Sequence, residues 1–435
     1  MNAMFIEETT RTPSARVRTT ALDVEAAAER IARSVITSPL HISERLSNTT
    51  GARVHLKRED LQSVRSYKIR GAFNFMLQLD GAERERGVVC ASAGNHAQGV
   101  ARACNELDIT GRIFVPKTTP KQKIDRIRHF GGEDVTVVVA GSTYDDASAL
   151  AKEFARESGA LLVSAFDDPR TIAGQGTIAA EIKAQMPTDP DYVLVPVGGG
   201  GVLAGIASYA AVHMPRTRVI GIEPAGAASM IAALEAGAPV TLNSVDSFAD
   251  GAAVRRAGDT TFGLVQDLGL DIRPIAEGAA ASEMLHLYQI DGIIAEPAGA
   301  LAAAAVGPLG SGAVVEVEPG ASVVCLVSGG NNDISRYPEV LERSLVHEGL
   351  KHYFIVNFPQ EPGALRRFLD EVLGPDDDIA LFEYVKRSNR ETGPAFVGIT
   401  LGAPEDLAAL LHRMEESPLE IEKVDQDSPL FRLFT

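Results

Sequence analysis

Apolar positions recur at helical spacing from Val24 to Ile36, and the helix this predicts ends near Ser38-Pro39. Thr37-Ser38-Pro39-Leu40 then reads as an extended approach, and Arg53-Val54-His55-Leu56-Lys57 alternates like a strand. From there the two periods take turns. Helices are predicted over Ile69 to Leu79, Ala97 to Leu107, Pro120 to Phe130, Tyr144 to Ser158 and onward from Thr171. Between them lie the short apolar runs Gly87 to Ala91, Gly111 to Pro116, Val135 to Val139 and Leu161 to Ser164. The alternation resumes with the strand Tyr192 to Val197, the helix Leu203 to Met214 and the strand Arg218 to Glu223, and closes on the strand Ser322 to Val327. Short apolar strands separated by helices of ten or more residues predict a parallel sheet with helices on its faces.

The character changes after Tyr337-Pro338. Strands at His352 to Phe358, Ile379 to Lys386 and Ala395 to Leu401 alternate with helices at Pro362 to Leu373 and Asp406 to Met414, and Leu430 to Phe434 suits a final strand. This β-α-β-β-α-β order is the split, ferredoxin-like α+β pattern. The chain therefore divides into a tail over 1–19, an α/β catalytic unit over 20–337 with a smaller lobe spanning about 54–164, and a small domain over 338–435. The small domain carries no glycine-rich phosphate loop and no cluster of acid-base groups. It reads as a binding or regulatory module and not as a second catalytic one.

Composition narrows the class. At 435 residues, with 45% hydrophobic and 23% charged residues, the chain has ample apolar material for more than one core. A formal net charge of −17 argues against nucleic acid or an anionic membrane as partner. An anionic cofactor would need a local site. The three cysteines, Cys90, Cys104 and Cys325, are odd in number and far apart, which fits reduced thiols in a cytoplasmic protein. No apolar stretch is long enough to span a bilayer, and the first residues carry Glu7 and Glu8 with no apolar signal region.

Four runs carry chemistry. In Ser66-Tyr67-Lys68-Ile69-Arg70-Gly71-Ala72 a lysine stands at a helix start, which taken alone is an ordinary solvated position. In Val195-Pro196-Val197-Gly198-Gly199-Gly200-Gly201-Val202-Leu203 a buried strand feeds four glycines and then a helix. A flexible turn needs one or two glycines. Four let successive N–H groups converge on one anion beside a helix N-terminus. No Lys-Ser or Lys-Thr follows and the GxGxxG spacing is absent, so a single phosphate monoester fits better than a nucleotide. In Ser92-Ala93-Gly94-Asn95-His96-Ala97-Gln98-Gly99 another strand feeds a helix. There Asn95 could bond a ring hydroxyl or an amino-acid carboxylate, with Ser92 and the amides around Gly94 as donors, while His96 reads better as a satisfied core histidine. In Val327-Ser328-Gly329-Gly330-Asn331-Asn332 a neutral hydroxyl, Ser328, could face a pyridine nitrogen and leave it unprotonated. Together the runs suit a lysine holding a phosphorylated cofactor as a Schiff base.

In that order these runs resemble the threonine dehydratase (threonine deaminase) family of pyridoxal-phosphate enzymes, fold type II, from Ser38-Pro39-Leu40 into the C-terminal domain. The resemblance implies pyridoxal 5'-phosphate as cofactor, Lys68 as its anchor and as the base for the substrate Cα proton, and Gly198, Gly199, Gly200 and Gly201 as the phosphate loop. It further implies Asn95 and Ser328 at the ring, and Ser92, Ala93, Gly94, Asn95 and His96 at the substrate carboxylate. The implied reaction converts L-threonine to 2-oxobutanoate and ammonia by β-elimination. Phe354 to Leu365 resembles an ACT-like regulatory domain, which in biosynthetic members binds L-isoleucine as feedback inhibitor. Gly363, Ala364 and Leu365 open a helix there, and Tyr384 on a facing strand is the leading effector contact. One such unit fits after 338, the short form, and family members are usually homotetramers. Related serine racemases place a metal-binding acid after a Glu-Pro pair. Here Ala227-Ala228-Ser229 follows Glu223-Pro224, so no divalent-metal site is expected and Glu223 is left as structural or a monovalent-cation ligand. Glu296-Pro297-Ala298-Gly299-Ala300 reads as pocket wall.

Other readings stay open at this point. A catabolic serine/threonine dehydratase or a racemase shares the chemistry, threonine synthase and cysteine synthase share the fold type, and a non-catalytic amino-acid sensor would keep the fold alone.

Overall fold

The computed structural model describes residues 18–384, 391–425, 428 and 431. The tail over 1–19 falls outside them except for its last two residues, as do Val385, Lys386 and most of the strand expected at Leu430 to Phe434. The first helix is Ala21–Ile31, earlier than its apolar spacing implied, because Thr20 and Asp23 close a reciprocal capping box at its start.

The main sheet runs Leu40–Ile42, Arg53–Arg58, Ser322–Val327, Tyr192–Pro196, Arg218–Pro224, Asp271–Ile275, antiparallel at its first pair and parallel elsewhere. The last catalytic strand in sequence is thus inserted between two early ones, with Cys325 facing Leu56 on one side and Leu194 on the other. A second, all-parallel sheet runs Val135–Val139, Gly111–Val115, Val88–Ala91, Leu161–Leu162. The smaller lobe therefore starts later than 54, since Arg53–Arg58 belongs to the main sheet. All three cysteines are free and buried.

Between 224 and 321 the chain forms elements that apolar spacing did not disclose, among them the helices Ser229–Ala236, Asp259–Asp267, Glu277–Gln289 and Pro297–Ala304. Pro297–Ala304 is buried along nearly its whole length, and a helix apolar on every face has no amphipathic period to detect. The Gly201–His213 helix is buried in the same way. It packs on Pro169–Gln185, which in turn packs on Lys68–Met76. Gly174 and Gly176 permit this stack: a Cβ would fall 2.6 Å from Arg70 O at the first and 2.7 Å from Gly205 O at the second.

The C-terminal unit is a four-stranded antiparallel sheet, ordered Asp378–Tyr384, Thr392–Thr400, Lys351–Pro359, Glu420–Lys423, with the helices Ala364–Glu371 and Leu407–Glu416. Its order is that of a ferredoxin-like fold, and among the described residues Asp378–Tyr384 and Glu420–Lys423 are its two outer strands. The helix Tyr337–His347 joins it to the catalytic part and packs on Glu277–Gln289. No helix of the described residues is long and apolar enough to cross a membrane.

Candidate active site

Inserting Ser322–Val327 beside Arg53–Arg58 brings the Ser328 turn against the lysine segment. Arg65 takes a left-handed turn (φ 58°), Tyr67 N donates to Ser328 O at 3.1 Å, and Gly330 N donates to Arg65 O at 2.9 Å. Ser66 and Gly329 form an isolated antiparallel bridge. Lys68 begins its helix directly after this stitch. Its Nζ donates to Ala165 O at 3.1 Å and lies 5.2 Å from the centre of the Tyr67 ring. Burial pushes the amine down to about 8, while the negative charge of Glu296 works in the opposite direction.

The helix is anchored by a buried ionic network. Arg70 donates from Nε and Nη2 to both oxygens of Glu59 at 2.7 Å and from Nη1 to Glu181 at 2.6 Å. Lys57 Nζ donates to the other Glu181 oxygen at 2.6 Å and to Ser38 O at 2.7 Å, and Ser38 Oγ donates to Glu59 at 2.5 Å. The Arg70 guanidinium holds the Glu59 carboxyl below the usual range against the opposing effect of burial. Arg70 stands inside the lysine motif, yet nothing in its spacing separated this role from that of a surface charge.

Four glycines close the other side. Gly200 sits at φ 89°, and a Cβ there would lie 2.4 Å from Met230 Cε. At Gly199 it would lie 2.4 Å from the Phe166 ring, at Gly201 2.5 Å from Gln175 Oε1, and at Gly198 2.8 Å from Ala252 O. Thr261 Oγ1 braces the loop by donating to Gly199 O at 2.6 Å, and the Gly201–His213 helix starts immediately behind. Side chains are excluded on all four, so the backbone N–H groups and helix N-terminus are what the loop can present.

Gly94 is open: nothing lies within 4 Å of a Cβ built on it, and Ser92 Oγ accepts from its N–H at 3.3 Å. Asn95 starts the Asn95–Leu107 helix, and its amide is fixed at both ends. Nδ2 donates to Glu296 at 2.6 Å, and Oδ1 accepts from Asn331 Nδ2 at 2.7 Å, which also donates to Val64 O at 2.8 Å. Burial and the charge of Asp250 push Glu296 up to about 7. The His96 ring is spent on Val163 O, 2.9 Å away, and burial pushes it down to about 4, so only its backbone faces the loop's other duties. Ser328 Oγ is buried and donates to Ala298 O over a long 3.3 Å, a contact readily exchanged for a stronger acceptor.

Glu223 caps a helix start. Both its oxygens accept backbone amides, Met230 N at 2.8 Å and Ile231 N at 3.0 Å, at the start of the Ser229–Ala236 helix. Ala165, Phe166 and Gln175, which border Lys68 and the glycines, carry no signal in their own sequence neighbourhoods.

In the C-terminal unit a cavity of about 370 Å³ is lined by Phe358, Gly363, Ala364, Leu365, Phe382 and Tyr384, among others. Gly363 is left-handed (φ 88°) and caps the Ala364–Glu371 helix. The Phe358 ring lies 5.9 Å from Phe382 and 5.8 Å from Tyr384.

These loops fit pyridoxal 5'-phosphate: a cradle of N–H groups bare of side chains, a buried primary amine of lowered pKa, a neutral hydroxyl, and Gln175 Oε1 buried with no partner beside the cradle. Fold and site together define a pyridoxal-phosphate-dependent enzyme of fold type II. The pyridoxal-phosphate dependent enzyme family matches residues 31–329, and the C-terminal regulatory domain of threonine dehydratase matches 342–434. The chain is 59% identical over 412 residues to the L-threonine dehydratase biosynthetic IlvA of Mycobacterium tuberculosis (strain ATCC 25618 / H37Rv), covering 94% of this chain and 95% of that one. It is 54% identical to the IlvA of Corynebacterium glutamicum over 95% of each. Among solved structures, the processed form of threonine deaminase isoform 2 from Solanum lycopersicum superposes with a TM-score of 0.69 at 38% identity, covering 76% of this chain and 96% of that one. The chain belongs to the biosynthetic threonine dehydratase family.

Proposed function

We propose that this chain is an L-threonine ammonia-lyase that converts L-threonine to 2-oxobutanoate and ammonia and answers to L-isoleucine. One observation carries the reading. The buried Lys68 amine donates to Ala165 O, which also accepts from Gln175, the residue bordering Gly201, and the segment carrying Lys68 is stitched to the Ser328 turn through Tyr67 N.

When bound, pyridoxal phosphate supplies an electron sink for negative charge at the substrate Cα. The remaining roles fall to the chain. Gly198 to Gly201 hold the phosphate through N–H groups. Ser328 offers a hydroxyl to the ring nitrogen, and a neutral partner there leaves that nitrogen unprotonated. The amides from Ser92 to His96 receive the substrate carboxylate, with Asn95 oriented by Glu296 and Asn331. Lys68 takes the Cα proton, a role for which an amine near 8 is far better suited than one near 10.5. The hydroxyl takes up a proton and leaves Cβ as water; the released enamine gains a proton at Cβ to become an imine, and addition of water at its Cα releases ammonia, so one threonine gives one 2-oxobutanoate and one ammonia.

The unit following 338 supports feedback control. Its cavity joins apolar and aromatic walls to a helix start at Gly363-Ala364-Leu365, a pairing suited to the side chain and carboxylate of isoleucine. We assign the protein to the cytoplasm, as its free buried thiols favour, and to a homotetramer. Steady-state production of 2-oxobutanoate from threonine, with serine as competitor and isoleucine titrated in, tests the reading. Activity should vanish in Lys68→Ala and fall with isoleucine in the wild type. Equal rates at every isoleucine concentration would remove the feedback claim, and no 2-oxobutanoate would remove the whole.

A further inference from the structure

The helix Tyr337–His347 grips one stretch of chain that reaches the active site. Arg336 lies 5.3 Å and Arg343 4.6 Å from the centre of the Phe248 ring, which is buried. Arg336 Nη2 also donates to Phe248 O at 2.9 Å, and Arg343 Nη1 donates to Asp246 at 2.9 Å. Residues 246–252 form no helix or strand, so these contacts, together with the cores beneath, set their position.

The same stretch meets the site at its far end. A Cβ on Gly251 would lie 3.2 Å from Glu296 Oε1 and 3.8 Å from Asn95 Nδ2, and Ala252 O walls the cradle at Gly198. Between the two ends, Asp250 accepts from Lys123 Nζ at 2.6 Å, on the Lys121–Gly131 helix of the smaller lobe. Arg336 Nη1 stands 3.9 Å from Asp250 as well. Within seven residues the chain touches the joining helix, the smaller lobe, the carboxylate loop and the phosphate cradle.

The joining helix is tied to the C-terminal sheet by a separate contact. Glu342 accepts from Tyr353 OH at 2.5 Å and pairs with Lys351. Both partners lie on Lys351–Pro359, the strand that ends in the cavity wall at Phe358-Pro359. A shift of that strand on filling the cavity would reach Glu342, turn the helix, and move Phe248 with it.

We propose that Arg336 and Arg343 couple the C-terminal cavity to the active site by holding residues 246–252 against Asn95 and the glycine cradle. The inference rests on the reading of that cavity as an isoleucine site. Coupling between sites is a free-energy difference that both ligands must feel, so removing the grip should leave each site working alone.

The test compares wild type with Arg336→Gln/Arg343→Gln as full-length holoenzyme, measuring isoleucine binding by calorimetry and 2-oxobutanoate formation. The double variant should bind isoleucine within about threefold of wild type, while the concentration that halves activity rises about tenfold or more, typical coupling being 5–150-fold. Isoleucine affinity in the variant should also stop depending on threonine. A variant inhibited like wild type overturns the coupling role. A wild type that binds no isoleucine overturns the reading of the cavity, and the coupling with it. If the double variant loses its fold, Glu342→Gln decides: it cuts the tie on the regulatory side and should keep binding while losing inhibition, and unchanged inhibition there counts against the proposal.

Discussion

Replacing Arg70 by Met tests whether the lysine helix is held by its buried network. The side chain is wholly buried and makes hydrogen bonds to Glu59, Glu181 and Thr177. Methionine is close in length and flexible, so little volume is lost. Charge is lost. Glu181 keeps Lys57, but Glu59 keeps only the hydrogen bonds from Ser38 and Gln62 and the more distant Lys57 charge. Breaking a buried pair from one side costs about 3–5 kcal/mol, because the remaining charge is stranded. Urea unfolding of the apoprotein should show a loss of this size for Arg70→Met. Arg70→Met/Glu59→Gln should recover at least about 1 kcal/mol of it, since the stranded charge is gone and contacting sites couple by about 0.5–3 kcal/mol. Because Arg70 lies two residues from Lys68, kcat should fall as well. A loss below about 1 kcal/mol in the single variant, or no recovery in the double, would refute the network as the anchor. The depressed Glu59 carboxyl gives the same stabilisation a pH signature. A carboxylate whose folded pKa lies below its unfolded value contributes stability above the unfolded pKa and loses it as pH falls through the folded one.

Three further outcomes are expected. The rate at which apoprotein captures pyridoxal phosphate should rise about tenfold from pH 7 to 9 and then level off, because the Lys68 amine is pushed down to about 8; a rate still climbing past pH 10 would mean an unperturbed lysine. Gly200→Ala should weaken cofactor binding at least about fivefold by fluorescence titration, since alanine in the left-handed region at φ 89° costs about 1–2 kcal/mol and its methyl would crowd Met230; unchanged affinity would mean the cradle is not the phosphate site. Glu296 is pushed up to about 7, so the folded apoprotein holds an extra proton between about 4.5 and 7 and wild type should lose stability relative to Glu296→Gln as pH rises through that window; parallel stability curves would sink the assignment.

What was legible in the sequence was local. Strand-to-glycine-to-helix at Val197 to Leu203 implied an anion cradle because the backbone conformation that side chains forbid is written in the glycines themselves. The alternation of short apolar strands with helices announced a parallel sheet for the same reason, since period follows backbone geometry. The Ala-rich helix Pro297–Ala304 escaped because burial on all sides erases periodicity. The His96 ring, expected from its company to be a core side chain, lies buried against Val163 O. Tertiary structure alone decided the rest. Insertion of Ser322–Val327 between Arg53–Arg58 and Tyr192–Pro196 placed Ser328 beside Lys68, which lies 260 residues earlier in the chain. It also turned Arg70 from one more charge into a buried tie, and set Glu296 and Asn331 on either end of the Asn95 amide. Such pairings depend on strand order and on which charges lose their water. Neither is written in the spacing of residues along one segment, so the chain named its chemical groups and only the packed sheet made them one site.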